Sequence, residues 1–382
     1  MARKTRERSA TRTGDGRAQT GTETQPSKSA QQHNGSVPLN PEKLKRLYST
    51  MLKCRMIEEK VSELLKQSKA TGKCCATIGR EATEVGAAID LLAEDYVALA
   101  EREFITSFIK GTPLKLIFAR LRAQPASVNQ RNSPPARNGR PSLKIVTPAS
   151  SGDTYPNIAA GVALAYKIQK KPCVAVAFCG DGAASLDLWL PAMRLAGAQK
   201  LPIVFIVENS SETESAGHSQ RGVNEDLSAR ARAFGFAGIT VDGNDVIAVY
   251  RVAQEAIRRA REGHGAALIE CRTSRLSEHS ESPAGHRSGS QAEDWKSKDP
   301  VLFMENYLKR RDLWSDEWKQ NVVDDFCKEL GEADTVPEQT PHPEPVQRRE
   351  QAHSFEILEG ELNRKPLEFR RTASSPAKLG KP

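Results

Sequence analysis

The sequence predicts an α/β protein built on parallel strands, and three stretches carry that expectation. Cys173–Cys179 is a short apolar run of small and β-branched residues, suited to a strand buried on both faces. Ala183–Gln199 follows with Leu186, Leu190, Met193 and Gly197 at helical spacing, and Ile203–Val207 is a second buried strand ending in Glu208-Asn209-Ser210. Strand, tight turn, helix, strand is a βαβ unit, whose two strands run parallel. In such sheets ligands sit beyond the carboxyl ends of the strands. Asp181 and Asn209 lie there, one strand apart, and face one crevice.

Two readings of Gly180-Asp181-Gly182 stay open on these residues alone. One is a turn that starts a helix, since such strings are common. The other is a metal–phosphate site. The glycines let backbone approach a ligand, Asp181 offers a hard carboxylate oxygen, and Asn209 adds a neutral amide oxygen. A few protein oxygens together with phosphate oxygens are how magnesium is held.

The remaining elements follow in order. Residues 1–38 are rich in Thr, Ser, Gln and Gly, and are expected to be a disordered basic leader. Pro41 opens a helix from Glu42 to about Lys69, with Leu44, Leu47, Met51, Val61 and Leu65 on its apolar face. Gly79-Arg-Glu-Ala82 starts a second helix reaching Leu92, and Tyr96–Leu99 is a strand. Residues 113–122 are a helix, and 124–143 a mobile loop of Pro, Asn, Arg and Ser. Ser150–Pro156 is a turn cluster before a small-residue helix from Ile158 to about Ile168, which could pack closely on a sheet, a partner or a cofactor.

Beyond the central unit, 211–224 is loop, Leu227–Phe234 helix and Gly238–Val241 strand. Asp245 caps the next helix and Gly263 stops it. Ala267–Arg272 is a buried strand, and 273–290 a polar surface loop. Pro300–Arg311 and Asp316–Glu329 are amphipathic helices. Residues 333–382 hold seven prolines and are expected to be a disordered tail, leaving 41–332 as the folded domain.

Bulk properties narrow the function classes. The 382 residues fit one large α/β domain with tails, and the 38% hydrophobic share suits a normal core diluted by those tails. No apolar run approaches the length needed to span a bilayer, so no membrane role is expected. The basic start leads into no apolar stretch, which argues against a secretory signal. Seven scattered cysteines, with no Cys-x-x-Cys pair, argue for reduced thiols in a cytoplasmic protein without structural zinc. The net charge is +8, and seven cations against three acids give the leader +4 of it. No aromatic residue interleaves with those cations, which argues against a nucleic-acid partner and for a solvated leader.

Taken together, the chain resembles the alpha subunit of the first, decarboxylating component of the 2-oxo acid dehydrogenase complexes, the thiamine-diphosphate enzymes acting on pyruvate, branched-chain 2-oxo acids or acetoin. The likeness runs from about Pro41 to Glu332. It rests on the order and spacing of Ile78-Gly-Arg-Glu-Ala82, Gly161-Val-Ala-Leu-Ala165, Gly180-Asp-Gly-Ala-Ala184, Lys200–Asn209, Val241-Asp-Gly-Asn-Asp245, His279-Ser280 and Lys298-Asp-Pro300. The resemblance implies a doubly wound, mostly parallel sheet with helices on both faces. It also implies thiamine diphosphate and Mg2+ as cofactors, a separate beta subunit in a heterotetramer, and a lipoyl-bearing acyltransferase that receives the acyl group. Asp181 matches the magnesium ligand, and Gly180, Gly182 and Ala183 form the turn whose amides meet the diphosphate. Arg102 matches an arginine contacting the diphosphate, and His279 the catalytic histidine on the loop over the cofactor mouth. By spacing, Ser210 and the backbone of Glu212 complete the metal set, with Asn209 beside them. The glutamate that activates the cofactor belongs to the beta subunit.

Several positions depart from the family pattern. Ser210 stands where the metal-binding asparagine is expected, and Glu212 where a tyrosine is common. Glu101 replaces a tyrosine beside Arg102, Cys75 a histidine, and Ser277 the first histidine of the loop. These departures set an alternative beside the enzyme: an alpha-like protein without catalysis that acts as a binding or regulatory partner.

Overall fold

A computed structural model describes residues 39–67, 78–99, 104–122, 144–146, 155–180, 189–210, 227–273 and 298–334. The described residues from Pro41 to Asp334 belong to one compact unit. Its centre is a six-stranded sheet of β1 (Tyr96–Ala98), β2 (Ile145–Val146), β3 (Ala175–Gly180), β4 (Ile203–Ser210), β5 (Ala237–Asp242) and β6 (Ala267–Thr273). The order is β2-β1-β3-β4-β6-β5, and every neighbouring pair is parallel.

Why the strands are apolar throughout follows from what covers them. Along β3 and β4, Ala175, Ala177, Phe205 and Val207 point to one face, packed under α5 (Tyr155–Ile168), α6 (Leu190–Gln199) and α7 (Leu227–Ala233). The alternate residues Val174, Val176, Phe178, Val204 and Ile206 meet α2 (Glu81–Ala88) and α8 (Val246–Arg261) on the other face. A period-two chain covered on both sides has no polar face to show. The sheet is therefore doubly wound, as the resemblance implies.

Close helix packing depends on missing side chains, two of them within the helices themselves. A Cβ on Gly197 of α6 would lie 2.0 Å from the Phe234 carbonyl oxygen, and one on Gly86 of α2 would lie 2.8 Å from a Val249 methyl. Both glycines let a helix sit against its neighbour at backbone distance.

A second layer of helices lies beyond the sheet. α1 (Pro41–Lys66), α4 (Leu114–Arg122) and α10 (Asp316–Asp334) share a core around Ile57, Val61, Phe118, Phe326 and Leu330. Between α1, α2 and α9 (Pro300–Arg310) sits Arg55, whose Nε donates to Glu81 while Nη1 and Nη2 reach both Asp299 oxygens at 3.0 and 3.1 Å. Asp299 also caps α9 by accepting from Val301 N at 2.8 Å. Asp90, just past α2, receives Lys43 (2.7 Å), Tyr250 (2.7 Å) and Arg46 (3.2 Å).

The structure alters several expected boundaries. α2 ends at Ala88 rather than Leu92, because the Asp95 carboxylate accepts from Leu92 N at 2.8 Å and closes a turn into β1. α5 begins at Tyr155, so Pro156 lies in its first turn, where a missing N–H costs nothing. β4 continues three residues past Val207, paired with β6 up to Ser210 and Thr273. α10 reaches Asp334, its last turn held by burial of Leu330 and Ala333. A short helix, α3 (Phe104–Ile109), and strand β2 were not anticipated. Residues 183–188 of the expected helix before α6 fall outside the described residues, as do the leader 1–38 and residues 335–382. The described cysteines are free thiols, with only Cys327 exposed. No helix among the described residues is long and apolar enough to cross a membrane.

Two outcomes follow for stability. Gly197→Ala forces α6 off Phe234, and chemical denaturation should show a loss of about 1–3 kcal/mol. Burial alone would raise the Asp90 carboxyl, but hydrogen bonds from Lys43 and Tyr250 and the charge of Arg46 hold it below its ordinary value. A depressed folded value contributes stability above the unfolded one, near pH 4, that is lost as pH falls through the folded one. The stability gap between the wild type and Asp90→Asn should therefore be largest near pH 7 and shrink below about pH 4, read from melting temperatures across that range.

Candidate functional site

The strand order fixes where a ligand would bind. From β1 the chain goes outward to β2, then returns past β1 to β3 on the other side. Between β1 and β3 the direction of winding reverses, and the crevice at the carboxyl ends of such neighbours is the usual ligand site of a doubly wound sheet. In sequence, Arg102 follows β1 and Asp181 follows β3 directly. β3 and β4 pair as far as Gly180 opposite Glu208, so Asn209 is the first β4 residue past the end of β3.

The expected site residues divide in two. Gly180 and Asn209 are placed, and the backbone of Ser210 ends β4 opposite Thr273. Arg102, Asp181, Gly182, Ala183, Glu212 and His279 lie outside the described residues, as do the departures at Cys75, Glu101 and Ser277. Among the described residues nothing lies within 4 Å of where a Cβ on Gly180 would stand.

Asn209 does more than the sequence suggested. Its amide nitrogen donates to Glu270 Oε1 at 2.8 Å, and Thr240 donates to Glu270 Oε2 at 3.3 Å. Glu270 is 1% exposed, in the middle of apolar β6. This contact orients the amide, leaving its carbonyl oxygen as the acceptor still to be used.

On the opposite face stands a second carboxylate. Glu208 is 2% exposed and accepts from Arg80 Nη1 at 2.6 Å. Arg80 occupies the capping position of α2 but makes no side-chain cap there, so its guanidinium serves the strand exit instead. Burial, and next the Glu208 charge, push the nearby Cys271 thiol well up, so it stays protonated and is no nucleophile. Thr273 closes β6 as a buried residue.

Sequence reading missed Arg80, Glu208, Glu270 and Thr273 as parts of this edge. The available signal was a glutamate within each of two otherwise apolar strands, where an isolated charge is costly and needs a partner. The partners, 128 and 61 residues away in the chain, left no local trace.

Whether these residues fit a diphosphate and a metal can be tested on their chemistry. Both buried carboxylates already have donors, so they offer an anion less repulsion. Among the described residues nothing would crowd a Cβ at Gly180, and Asn209 adds a neutral carbonyl oxygen. The donor set fits the group. Among the described residues no three His, Cys, Asp or Glu side chains gather as a metal site by themselves.

A doubly wound parallel sheet whose strand order reverses between β1 and β3 is an architecture that binds ligands, dinucleotides among them, at the carboxyl ends of its strands. Comparison with known proteins narrows it. The family model for the dehydrogenase E1 component matches residues 48–346, and the chain belongs to that family. It is 33% identical over 303 residues to the 2-oxoisovalerate dehydrogenase subunit alpha of Bacillus subtilis, covering 78% of this chain and 92% of that protein. It is 30% identical over 298 residues to the pyruvate dehydrogenase E1 component subunit alpha of Bacillus subtilis, covering 77% and 78%. The corresponding subunit of Staphylococcus aureus matches at 30% over 309 residues, covering 79% and 81%.

The edge makes one quantitative demand. Arg80→Met removes the Glu208 partner while keeping the aliphatic stem, and urea unfolding should show a loss of roughly 3–5 kcal/mol. Adding Glu208→Leu should restore much of it, because the buried charge then goes too.

Proposed function

We propose that this chain is the alpha subunit of a thiamine-diphosphate-dependent 2-oxo acid dehydrogenase. The reaction is oxidative decarboxylation of a 2-oxo acid with transfer of the acyl group to lipoamide. The observation that carries this reading is the match to the dehydrogenase E1 component over 48–346, supported by a parallel sheet whose strand order reverses between β1 and β3. In this reading the chain works in the cytoplasm with a separate beta subunit as a heterotetramer, and passes its product to a lipoyl-bearing acyltransferase.

Each residue has a role in that reading. The carboxylate of Asp181, the hydroxyl of Ser210 and the backbone carbonyl of Glu212 hold Mg2+. Arg102 and the amides of Gly182 and Ala183 hold the diphosphate. Gly180 gives the turn its clearance, and Asn209 presents a carbonyl oxygen oriented by Glu270. His279, which matches the family's loop histidine, is the catalytic residue of this reading. When bound, thiamine diphosphate supplies the electron sink that makes decarboxylation feasible.

The departures at Cys75, Glu101, Ser210, Glu212 and Ser277 favour a second reading, an alpha-like partner without catalysis. Calorimetric titration of thiamine diphosphate with Mg2+ into the co-expressed alpha–beta assembly separates the two. The expected result is metal-dependent binding that Asp181→Ala abolishes, with turnover of 2-oxoisovalerate or pyruvate in the presence of a lipoyl acceptor. An assembly that forms but binds no cofactor would establish the second reading instead.

A further inference from the structure

The carboxyl edge holds one polar group that nothing above employs in folding. Thr273 ends β6 with 3% of its surface exposed, and among the described residues its Oγ1 has no hydrogen-bond partner. Its methyl group packs on Gly243, where a Cβ would lie 2.5 Å from Thr273 Cγ2. That contact orients the side chain, so the hydroxyl is held without being bonded. The neighbouring hydroxyl is already engaged, since Thr83 donates to the Gly243 carbonyl at 3.1 Å. A buried hydroxyl without a partner forfeits the hydrogen bonds it had in water, and such groups call for an explanation where they occur.

Its position supplies one. Thr273 is the register partner of Ser210 on the adjoining strand. Neighbouring strands lie about 4.8 Å apart. Position 210 carries a serine, which the cofactor reading makes a metal-site position. We propose that Thr273 is a further cofactor-site residue, its hydroxyl hydrogen-bonding to the hydrated metal–diphosphate end of thiamine diphosphate. The inference rests on the cofactor reading given under the proposed function. Thr273 brings no charge. Its hydroxyl donates to a phosphate oxygen or to a water on the metal, a bond that exists only in the loaded protein.

Two substitutions in the alpha–beta assembly test this, read by calorimetric titration of thiamine diphosphate with Mg2+ and by thermal unfolding without cofactor. Thr273→Val keeps the shape and deletes the hydroxyl; Thr273→Ser keeps the hydroxyl. A hydrogen bond to a charged group corresponds to roughly tenfold or more in affinity. The expected result is therefore about a tenfold weaker cofactor Kd for Thr273→Val and near-normal binding for Thr273→Ser. Without cofactor, Thr273→Val should melt at or above the wild-type temperature, since it removes an unbonded polar atom. Wild-type affinity in Thr273→Val overturns the proposal. So does weakened binding accompanied by a lowered melting temperature that Thr273→Ser fails to rescue, which marks a packing role. If the wild-type assembly itself binds no cofactor, the cofactor reading fails and takes this one with it.

Discussion

Parallel pairing imposes a constraint that the rest of this molecule obeys. A strand can lie parallel to its neighbour only if the chain crosses back over a face of the sheet, so every strand needs cover above or below. Here the cover is α5, α6 and α7 on one face and α2 and α8 on the other. All six strands therefore deliver their carboxyl ends to one edge. The chain exits, with whatever chemistry they carry, are gathered there by topology before any side chain is chosen. The reversal between β1 and β3 then opens the crevice at that edge.

The edge is where charge becomes a problem, because two buried, otherwise apolar strands each carry a glutamate into a poorly solvated zone. Two long-range contacts resolve it in opposite directions. Arg80 crosses from the start of α2 to meet Glu208, and Asn209 and Thr240 donate to Glu270. The first is an ion pair, and the second joins two neutral donors to a cation, Arg272 Nε, 3.6 Å from Glu270 Oε1. Both leave the edge less negative than its composition suggests, which suits a site meant for a diphosphate.

Much of this was legible in the sequence wherever a local rule governs. The apolar spacing of α1 places Leu44, Leu47 and Met51 in the core, and Asp245 does cap α8, accepting from Ile247 N and Ala248 N. The buried strands could be read from unbroken apolar runs, since both faces are covered. What escaped has no period and no punctuation. α3 is six residues long and β2 two, too short for a pattern to repeat. The pairs Arg80–Glu208 and Asn209–Glu270 join side chains far apart in the chain, and only the folded topology brings them together. Of the candidate site, Gly180 and Asn209 fall on the strand ends expected of them. The resemblance rather than any spacing rule pointed to Arg102 and His279.

The Arg55 clamp bears on the order in which the molecule can be built. Arg55 holds Glu81 at the start of α2 and Asp299 at the start of α9, and the second contact closes a loop of 244 residues. Closing so long a loop has a high entropic cost early in folding, so contacts of this span form late. During synthesis the sheet strands emerge before Asp299 does. Arg55 can meet Glu81, 26 residues away, without Asp299, but the brace from α9 onto that clamp is absent until the last quarter of the chain arrives. Completion of the clamp is thus coupled to the C-terminal helices, although they contribute none of the site residues named here.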